Sequence, residues 1–360
     1  MVYIGVDLHR KVSQVAALTS GGELLWNRRI RSRPDEFVRT FGDLAQPPAG
    51  VAFEATYGWG WFADLLAELG LPAHMSHPTA TKAISAARVK NDAVDARTLA
   101  HLLRTNLLPE AWIGPPACRE ARRLVRTRTA LVRFRSGLKC QVHALLAEHG
   151  VQLPELTDLF GKRGRQFLER LPLPELSRSC IQADLQMIDG LTLEIQRLDR
   201  QLVSLLKDDA RVRRLRAIPG IGFLTAVALV AEIWDVDRFS SADRLCSWAG
   251  LTPIERSSAG HIHRGHISKA GSRLVRWAMV EAAARAPRHA PHRQFFVRIM
   301  HDDLGRRHIA RIALARHLLT LCYYALRDEG GCRAYPVNAT VAGQGALESV
   351  VASVDGRGFD

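Results

Sequence analysis

The sequence predicts a chain of mixed class: an α/β region comes first, a helical coiled-coil region follows and a mainly α region comes last. Three observations predict this order. Short apolar runs alternate with helical stretches in the first third of the chain. Apolar residues then recur at spacings of three and four, and beyond residue 211 glycines interrupt helical sequence. The 360 residues are enough for roughly two or three domains of typical size.

The first region begins with three apolar runs that read as antiparallel strands, the last two joined by the turn Ser20-Gly21-Gly22. Strands and helices alternate after this meander, which indicates a layered α/β domain. The predicted strands are 2–8, 12–18, 23–30, 50–54 and 72–76, and the predicted helices are 34–45, 61–69 and a helical stretch up to residue 105.

The middle region is predicted to be a helical arm. Its first stretch, 119–148, is strongly basic, and its second carries a seam of isoleucine and leucine typical of a coiled coil or a long helical hairpin. Plain helix packing explains such a seam as well as a dimer interface does. The seam residues are Ile181, Leu185, Ile188, Leu191, Ile195, Leu198, Leu202 and Leu205.

These patterns predict four segments. They are an α/β domain at 1–115, a basic helical arm at 116–210, a mainly α domain at 211–328 and a glycine-rich flexible tail at 329–360. Six scattered cysteines without a CxxC pair indicate reduced thiols. The N-terminus lacks the order of a signal peptide, and no long uncharged apolar segment follows, so we expect a cytoplasmic protein without a membrane partner.

The charge balance points to a polyanionic partner. Fifty Lys and Arg residues against 36 Asp and Glu residues give a net charge of +14. A surface this basic gains free energy by releasing counterions from a nucleic-acid backbone. The alternative, in which the excess charge only keeps the protein soluble, applies to any basic protein.

Four carboxylates are the candidate metal ligands. Asp7 and Glu54 each end a predicted strand, and Asp92 and Asp95 are spaced to share one face of a helix. Acids brought together repel one another, and divalent cations, Mg²⁺ above all, relieve that repulsion; two such ions can clamp the oxygens of a phosphoryl transfer. Taken singly, each acid has an equally good structural role as a turn residue, a helix N-terminal charge or an arginine partner.

Two further segments are candidate phosphate contacts. The turn Ile218-Pro219-Gly220-Ile221-Gly222 is typical of a helix-hairpin-helix, whose glycines let backbone N–H groups approach phosphate, although a tight turn needs glycine too. The loop segment 248–273 contains serines followed by Lys269, Arg273 and Arg276, cations that would stabilise charge on phosphate oxygens. From spacing alone, a serine in a glycine-rich loop is usually a turn residue.

With these motifs the chain resembles the DEDD-type insertion-sequence transposases, a family of bridge-RNA-guided recombinases. The resemblance extends over residues 2–325. It is carried by Gly5-Val6-Asp7-Leu8-His9, Phe53-Glu54-Ala55-Thr56, Lys90-Asn91-Asp92-Ala93-Val94-Asp95-Ala96, the turn 218–222, Trp248-Ala249-Gly250-Leu251-Thr252-Pro253 and Gly265-His266-Ile267-Ser268-Lys269-Ala270-Gly271-Ser272-Arg273.

The resemblance implies a RuvC-like, RNase H-type N-terminal domain whose Mg²⁺-binding tetrad is Asp7, Glu54, Asp92 and Asp95. It also implies a C-terminal transposase domain with a catalytic serine five residues after Pro253. That residue is Ser258; Ser257 is the less favoured candidate, and Ala259 stands where the family usually has glycine.

The family further implies three partners: donor DNA, target DNA and a bridge-type non-coding RNA. It implies a homo-oligomer, a dimer or a tetramer, in which one protomer's carboxylates meet another's serine. Arg122 and Arg126 lie in the basic helix that we expect to contact a nucleic-acid backbone, and a solvated basic face is the alternative.

Two other functions fit the same sequence features. A metal-dependent, structure-specific nuclease of the junction-resolvase kind would need the tetrad but no serine. A non-catalytic nucleic-acid-binding protein would bind in a salt-dependent way and would not cleave DNA.

Overall fold

The computed structural model describes residues 1–84, 91–258, 261–301 and 303–336, and for 256–264 and 336 it describes no side chains. The chain divides into two compact units, Met1–Pro116 and Ala117–Asp360. Residues 85–90 of the predicted helical stretch and 337–360 of the predicted tail therefore lie outside the described residues. The predicted boundary near residue 210, between arm and C-terminal domain, stays a prediction.

The N-terminal unit is built on a five-stranded mixed sheet with the order β3-β2-β1-β4-β5. Antiparallel pairing joins β1, β2 and β3 as the predicted meander, and β4 and β5 extend the sheet in parallel from β1. The strands are β1 (Val2–Asp7), β2 (Val12–Thr19), β3 (Leu24–Arg31), β4 (Gly50–Glu54) and β5 (Ala73–Ser76).

The described part of this unit contains the helices α1 (Pro34–Gly42), α2 (Trp59–Glu68), α3 (Pro78–Ile84) and α4 (Asp92–Arg104), and α1 and α2 pack on one face of the sheet while α4 packs on the other. Aromatic rings fill the space between α1, α2 and one face; Phe62 lies 4.7 Å from Phe37 and 5.2 Å from Phe53 between ring centroids. Because neighbouring side chains in a strand point to opposite faces, Ile4 and Val6 join this core, whereas Gly5 and Asp7 face the opposite side, where α4 packs on β1.

The second unit is mostly helical, as predicted. Its helices are α5 (Pro116–Glu148), α6 (Lys162–Arg170), α7 (Glu175–Leu206), α8 (Ala210–Arg216), α9 (Phe223–Ile233), α10 (Ala242–Trp248), α11 (Arg273–Arg285), α12 (Ala290–Met300) and α13 (Arg307–Arg327). Its strands are β6 (Pro253–Ser258), β7 (His261–Ile267), β8 (Gly331–Cys332) and β9 (Tyr335–Pro336).

The long helices α5 and α7 pair antiparallel. Arg128 of α5 donates to Asp199 of α7 at 2.9 Å, and Arg135, further along α5, donates to Thr192 of α7. Residue numbers therefore rise along α5 while those of the contacted residues fall along α7. Much of the predicted seam on α7 is buried, but Leu205 is exposed and Leu206 takes the buried position next to it. Isoleucine and leucine periodicity therefore located the seam and missed its last member.

Two apolar helices form the centre of the C-terminal core. Every residue of α9 from Ala226 to Ile233 is buried. The segment Leu304–Arg327, which includes α13, is long and apolar enough to cross a membrane by length and composition. Leu314, Leu318 and Leu319 of this helix are nevertheless fully buried in the core, which is the packing of an interior helix.

Two predictions about the second unit need correction. The segment 253–267 was expected to be loop within helical sequence, but it forms the hairpin β6–β7. The β-branched residues Ile254, Ile262 and Ile267 favour extended backbone, and Pro253 lacks an N–H for a helix interior. The flexible tail was expected from residue 329, but β8 pairs with β9 and Cys332 is buried. All six cysteines are free thiols, as predicted.

Candidate active site

Two strand ends place two carboxylates side by side in the N-terminal unit. Strands β1 and β4 are parallel neighbours, and Val6 pairs with Phe53. Asp7 and Glu54 are the next residues of these strands, so both end at the same edge of the sheet. This position at the carboxyl edge of parallel strands follows from the sheet topology, and we call it the carboxylate edge.

Helix α4 brings the other two carboxylates to this edge. A Cβ atom at Gly5 would overlap the carbonyl oxygen of Ala96 and the backbone nitrogen of Ala100. Only glycine allows the helix to cross β1 this closely. Asp92 and Asp95 lie in the first turn of α4, and their charges act on Asp7.

Hydrogen bonds fix the start of α4 on the sheet. The side chain of Asn91 caps the helix by accepting the backbone N–H of Val94 at 2.9 Å. The Asn27 side chain donates to the carbonyl of Ala93 at 2.9 Å and accepts from Gln14, which pairs with Asp7 across β1 and β2. The helix turn that carries Asp92 is thus tied to the strand opposite Asp7.

Asp7 is an unfavourable place for a lone negative charge. Only 8% of the residue is exposed. Burial raises the pKa of its carboxyl group, His9 lowers it, and the neighbouring charges of Asp92 and Asp95 raise it further. A divalent cation would relieve both the desolvation and the repulsion.

His9 is part of this group, although the sequence interpretation gave it no role. Its Nε2 lies 3.2 Å from Asp7 Oδ2 and 3.8 Å from Asp92 Oδ1. One potential ligand atom from each of His9, Asp7 and Asp92 lies within 4.8 Å of the other two. The signal available in the sequence was the position of His9 two residues after Asp7, just beyond the end of β1. These residues fit a divalent metal ion.

The second unit carries the predicted serines on the hairpin β6–β7. Ser258 is the last residue of β6 and pairs with His261, and Ser257 pairs with Ile262. Their side chains lie outside the described part of the structure. The structure thus gives their place along the hairpin backbone.

The predicted basic residues follow the hairpin: Lys269 lies in the loop after it, and Arg273 and Arg276 lie in the first turn of α11. Lys269 and Arg273 are exposed. Arg276 donates to the carbonyl oxygens of Ala249 and Ala270, both at 2.9 Å, and so holds the loop against the end of α10; its contact with nucleic acid stays a prediction. Burial lowers the pKa of Arg276.

The predicted arginines of α5 also make internal contacts. Arg122 donates to the carbonyl oxygens of Ala231 and Glu232 at 3.0 and 2.7 Å. Arg126 makes two hydrogen bonds to the Glu232 carboxylate, at 2.6 and 2.9 Å. Contact of either arginine with nucleic acid stays a prediction.

Glu232 joins three elements, and the sequence interpretation missed it. It is 1% exposed and also accepts a 3.1 Å hydrogen bond from the hydroxyl of Ser272, the residue that caps α11. Glu232 therefore ties α9 to α5 and to the loop after the hairpin. An acid within the apolar sequence of α9 was the available signal.

The predicted glycine turn joins α8 to α9. Gly220 has φ +95°, and a Cβ there would lie 3.0 Å from the Cβ of Ala286. Gly222 is the N-cap residue of α9, with open space around it. The first backbone N–H groups of α9 follow this open turn.

Family models match both regions that carry these candidate residues. Residues 4–150 match a DEDD transposase model of the IS110 type. Residues 212–298 match a model described as the transposase IS116/IS110/IS902 family. The chain belongs to the IS110/IS116 transposase family.

Curated relatives of this transposase carry matching names. A probable family 20 transposase of Pseudomonas aeruginosa is 29% identical over 294 residues, which are 78% of this chain and 82% of the relative. The transposase for insertion sequence element IS1111A of Coxiella burnetii is 24% identical over 302 residues, 81% of this chain and 79% of the relative. The pilin gene-inverting protein of Moraxella bovis is 32% identical over 141 residues, 37% and 44% of the two chains.

Because it belongs to this family, the protein is an enzyme that acts on DNA, and the expected DNA transposase activity is confirmed. Dependence on a divalent metal follows from the DEDD family, and the group Asp7, His9 and Asp92 provides a place for such an ion.

Proposed function

We propose that this transposase cuts and rejoins DNA with Ser258 as nucleophile and Mg²⁺, as two ions, bound by Asp7, Glu54, Asp92 and Asp95. We also propose that its N-terminal unit has an RNase H-type, RuvC-like fold. The observation that carries the proposal is the carboxylate edge, where adjacent strands end in Asp7 and Glu54 and α4 adds two acids. A buried carboxylate among like charges is unfavourable, and a bound cation removes that penalty.

The carboxylates would hold the metal and set its position. Asp7 is fixed by β1, and Asp92 is fixed by the capped first turn of α4. When bound, the metal supplies Lewis-acid stabilisation to the oxygens around the scissile phosphorus. The role of the chain is to keep these ligands in place through Gly5 and the Asn27 tether.

The serine would carry the covalent step. Its Oγ loses a proton and forms a bond to phosphorus while the bond from phosphorus to one deoxyribose oxygen breaks, which leaves a phosphoserine and a free sugar hydroxyl. Attack by the hydroxyl of another strand forms a new phosphodiester and returns the serine. The two steps conserve the number of phosphodiester bonds, so no external energy source is required.

The nucleic-acid partners in this proposal are donor DNA, target DNA and a bridge-type RNA. Lys269 in the loop after the hairpin and Arg273 at the start of α11 are both exposed, and they would bind phosphate near Ser258. The open turn at Gly222 offers backbone N–H groups to a second phosphate, and Gly220 permits that turn. Pairing with RNA would supply sequence choice, and the net charge of +14 would supply backbone contacts. We expect this activity in the cytoplasm.

The central experiment compares three variants. Each is incubated with labelled DNA that carries the element ends and with the non-coding RNA of the adjoining sequence. We expect Ser258→Ala to abolish both the covalent protein–DNA adduct and strand exchange, and Asp7→Ala to abolish both as well. Ser257→Ala, the matched control on the same strand, should retain the adduct. Denaturing gels that separate free from protein-linked DNA measure the outcome.

The alternatives make different predictions in this experiment. Cleavage that survives Ser258→Ala without an adduct, but requires Asp7, would identify a metal-dependent nuclease. An adduct that disappears with Ser257→Ala would assign the nucleophile to the neighbouring serine. Salt-dependent DNA binding without any metal-dependent cleavage would identify a binding protein.

A mixing experiment tests the proposed homo-oligomer, a dimer or tetramer in which the sites are shared. Asp7→Ala and Ser258→Ala proteins are each expected to be inactive, and their mixture should recover activity if the carboxylates of one protomer act with the serine of another. A mixture that stays inactive would mean that both sites must lie in one protomer.

A further inference from the structure

We propose that His9 binds the metal ion directly through Nε2, and that this nitrogen makes the carboxylate edge favour first-row transition ions such as Mn²⁺ over Mg²⁺. The inference rests on the proposed function only in requiring that the edge binds a divalent cation. It adds a ligand to the four carboxylates and changes the expected preference of the site.

The position of the imidazole supports direct binding. Its Nε2 lies 3.2 Å from Asp7 Oδ2 and 3.8 Å from Asp92 Oδ1, so it points between one carboxylate of β1 and one of α4. A single ion can be shared by three ligand atoms that all lie within 4.8 Å of one another, since ligand atoms about 2 Å from an ion are separated by distances of this order.

The backbone holds His9 at this place, and its ring remains accessible. The backbone N–H of His9 donates to the hydroxyl of Ser13 at 3.4 Å, and that hydroxyl shares a 2.7 Å hydrogen bond with Ser32. The side chain is 53% exposed. An ion could therefore enter from solvent without displacing core side chains.

The mixed donor set determines the expected preference. Mg²⁺ favours oxygen ligands and retained waters, whereas an imidazole nitrogen adds affinity for first-row transition ions. The competing role for His9 is to orient Asp7 by donating a hydrogen bond while water completes the coordination of the metal. Direct binding uses the Nε2 lone pair and places nitrogen on the metal, whereas the orienting role uses an N–H on Nε2 and places no nitrogen there.

Pulsed electron paramagnetic resonance on the full-length protein with Mn²⁺ separates these roles. Directly bound imidazole produces ¹⁴N modulation of the Mn²⁺ echo. We expect this modulation in the wild-type protein and in the control variant His101→Gln, which removes a histidine of α4 outside the group. It should disappear in His9→Gln and change to a ¹⁵N pattern when the protein contains ¹⁵N-histidine.

Titration calorimetry provides the second measurement. His9→Gln should weaken Mn²⁺ binding about tenfold and should change Mg²⁺ binding much less, so that the preference for Mn²⁺ shrinks. Equal losses for the two ions would contradict the proposal. Circular dichroism checks that the variant is folded, as expected for a half-exposed side chain.

Two failures can be told apart. If Mn²⁺ binds to the wild-type protein, is lost in Asp7→Asn and shows no nitrogen modulation, then His9 only positions Asp7 and the proposed metal-dependent function is unaffected. If neither Mn²⁺ nor Mg²⁺ binds in an Asp7-dependent way, the proposed function loses its metal site, and this inference falls with it.

Discussion

The carboxylate edge and the hairpin β6–β7 are held by opposite means. The acids of the edge sit on buried strands and on a helix that crosses β1 in direct backbone contact at Gly5. The hairpin is a separate two-stranded sheet with exposed residues at its base, and it is followed by a loop anchored through Arg276 and Ser272. The four proposed metal ligands are therefore positioned by the core of the N-terminal unit, whereas the proposed nucleophile Ser258 lies on a hairpin whose following loop is held by these anchors.

The strongest test of the core-positioned edge is Gly5→Val. Its side chain would overlap the backbone of α4, which cannot shift without moving Asp92 and Asp95, so we expect destabilisation on the order of 4 kcal/mol or no folded N-terminal unit. Thermal unfolding and soluble yield measure this. Gly42→Ala is the control, because a Cβ at Gly42 meets no atom within 4 Å. Equal behaviour of the two variants would show that the close crossing does not hold the edge.

The corresponding test of the anchors is Glu232→Ala. This change leaves Arg126 and Ser272 without their shared carboxylate, and we expect a loss of about 2 kcal/mol, discounted because the Arg126 side chain is 60% exposed. Denaturant unfolding measures the loss. Glu194→Ala, which breaks the exposed pair with Arg197, should cost less than about 0.5 kcal/mol. A cost as small for Glu232 would remove it as an anchor.

Asp7→Asn should act in the opposite direction and stabilise the metal-free protein. Since the folded-state pKa of Asp7 is raised, the wild type loses stability as pH rises from the ordinary aspartate pKa through that raised value. The variant escapes this loss, so its melting temperature should exceed that of the wild type by a margin that grows across this window and is constant above it. In excess Mn²⁺ or Mg²⁺ the order should reverse. If Asp7→Asn were less stable than the wild type in EDTA at every pH, the charge of Asp7 would not destabilise the metal-free carboxylate edge.

The smallest expected effect concerns the cap of α4. Asn91→Ala removes the side-chain acceptor for the Val94 N–H and should cost about 1 kcal/mol together with a modest loss of metal affinity, because the first turn carries Asp92. Asn91→Ser, which keeps an oxygen at this position, should retain most of both. If metal affinity is unchanged while stability falls, the first turn is held by the Asn27 tether alone.

Local patterns predicted much of this architecture. Short apolar runs predicted the strands of the sheet, and Ile181 and Ile188 marked the buried face of α7. The hairpin at 253–267 was missed because its two short strands are mutually stabilising, and no single strand has a strong pattern of its own. The exposure of Leu205 was missed because helical periodicity cannot tell two adjacent leucines apart.

The sequence alone determined the four candidate metal ligands, Asp7, Glu54, Asp92 and Asp95, because each lies in a short contiguous motif. Only the tertiary structure decided which other side chains take part in each region. At the carboxylate edge His9 reaches two carboxylates from different elements. In the second unit Glu232 ties α9 to α5 and to the N-cap of α11. The physical reason is that charge pairing and burial depend on distances between residues remote in sequence, and those distances are set by packing such as the crossing at Gly5.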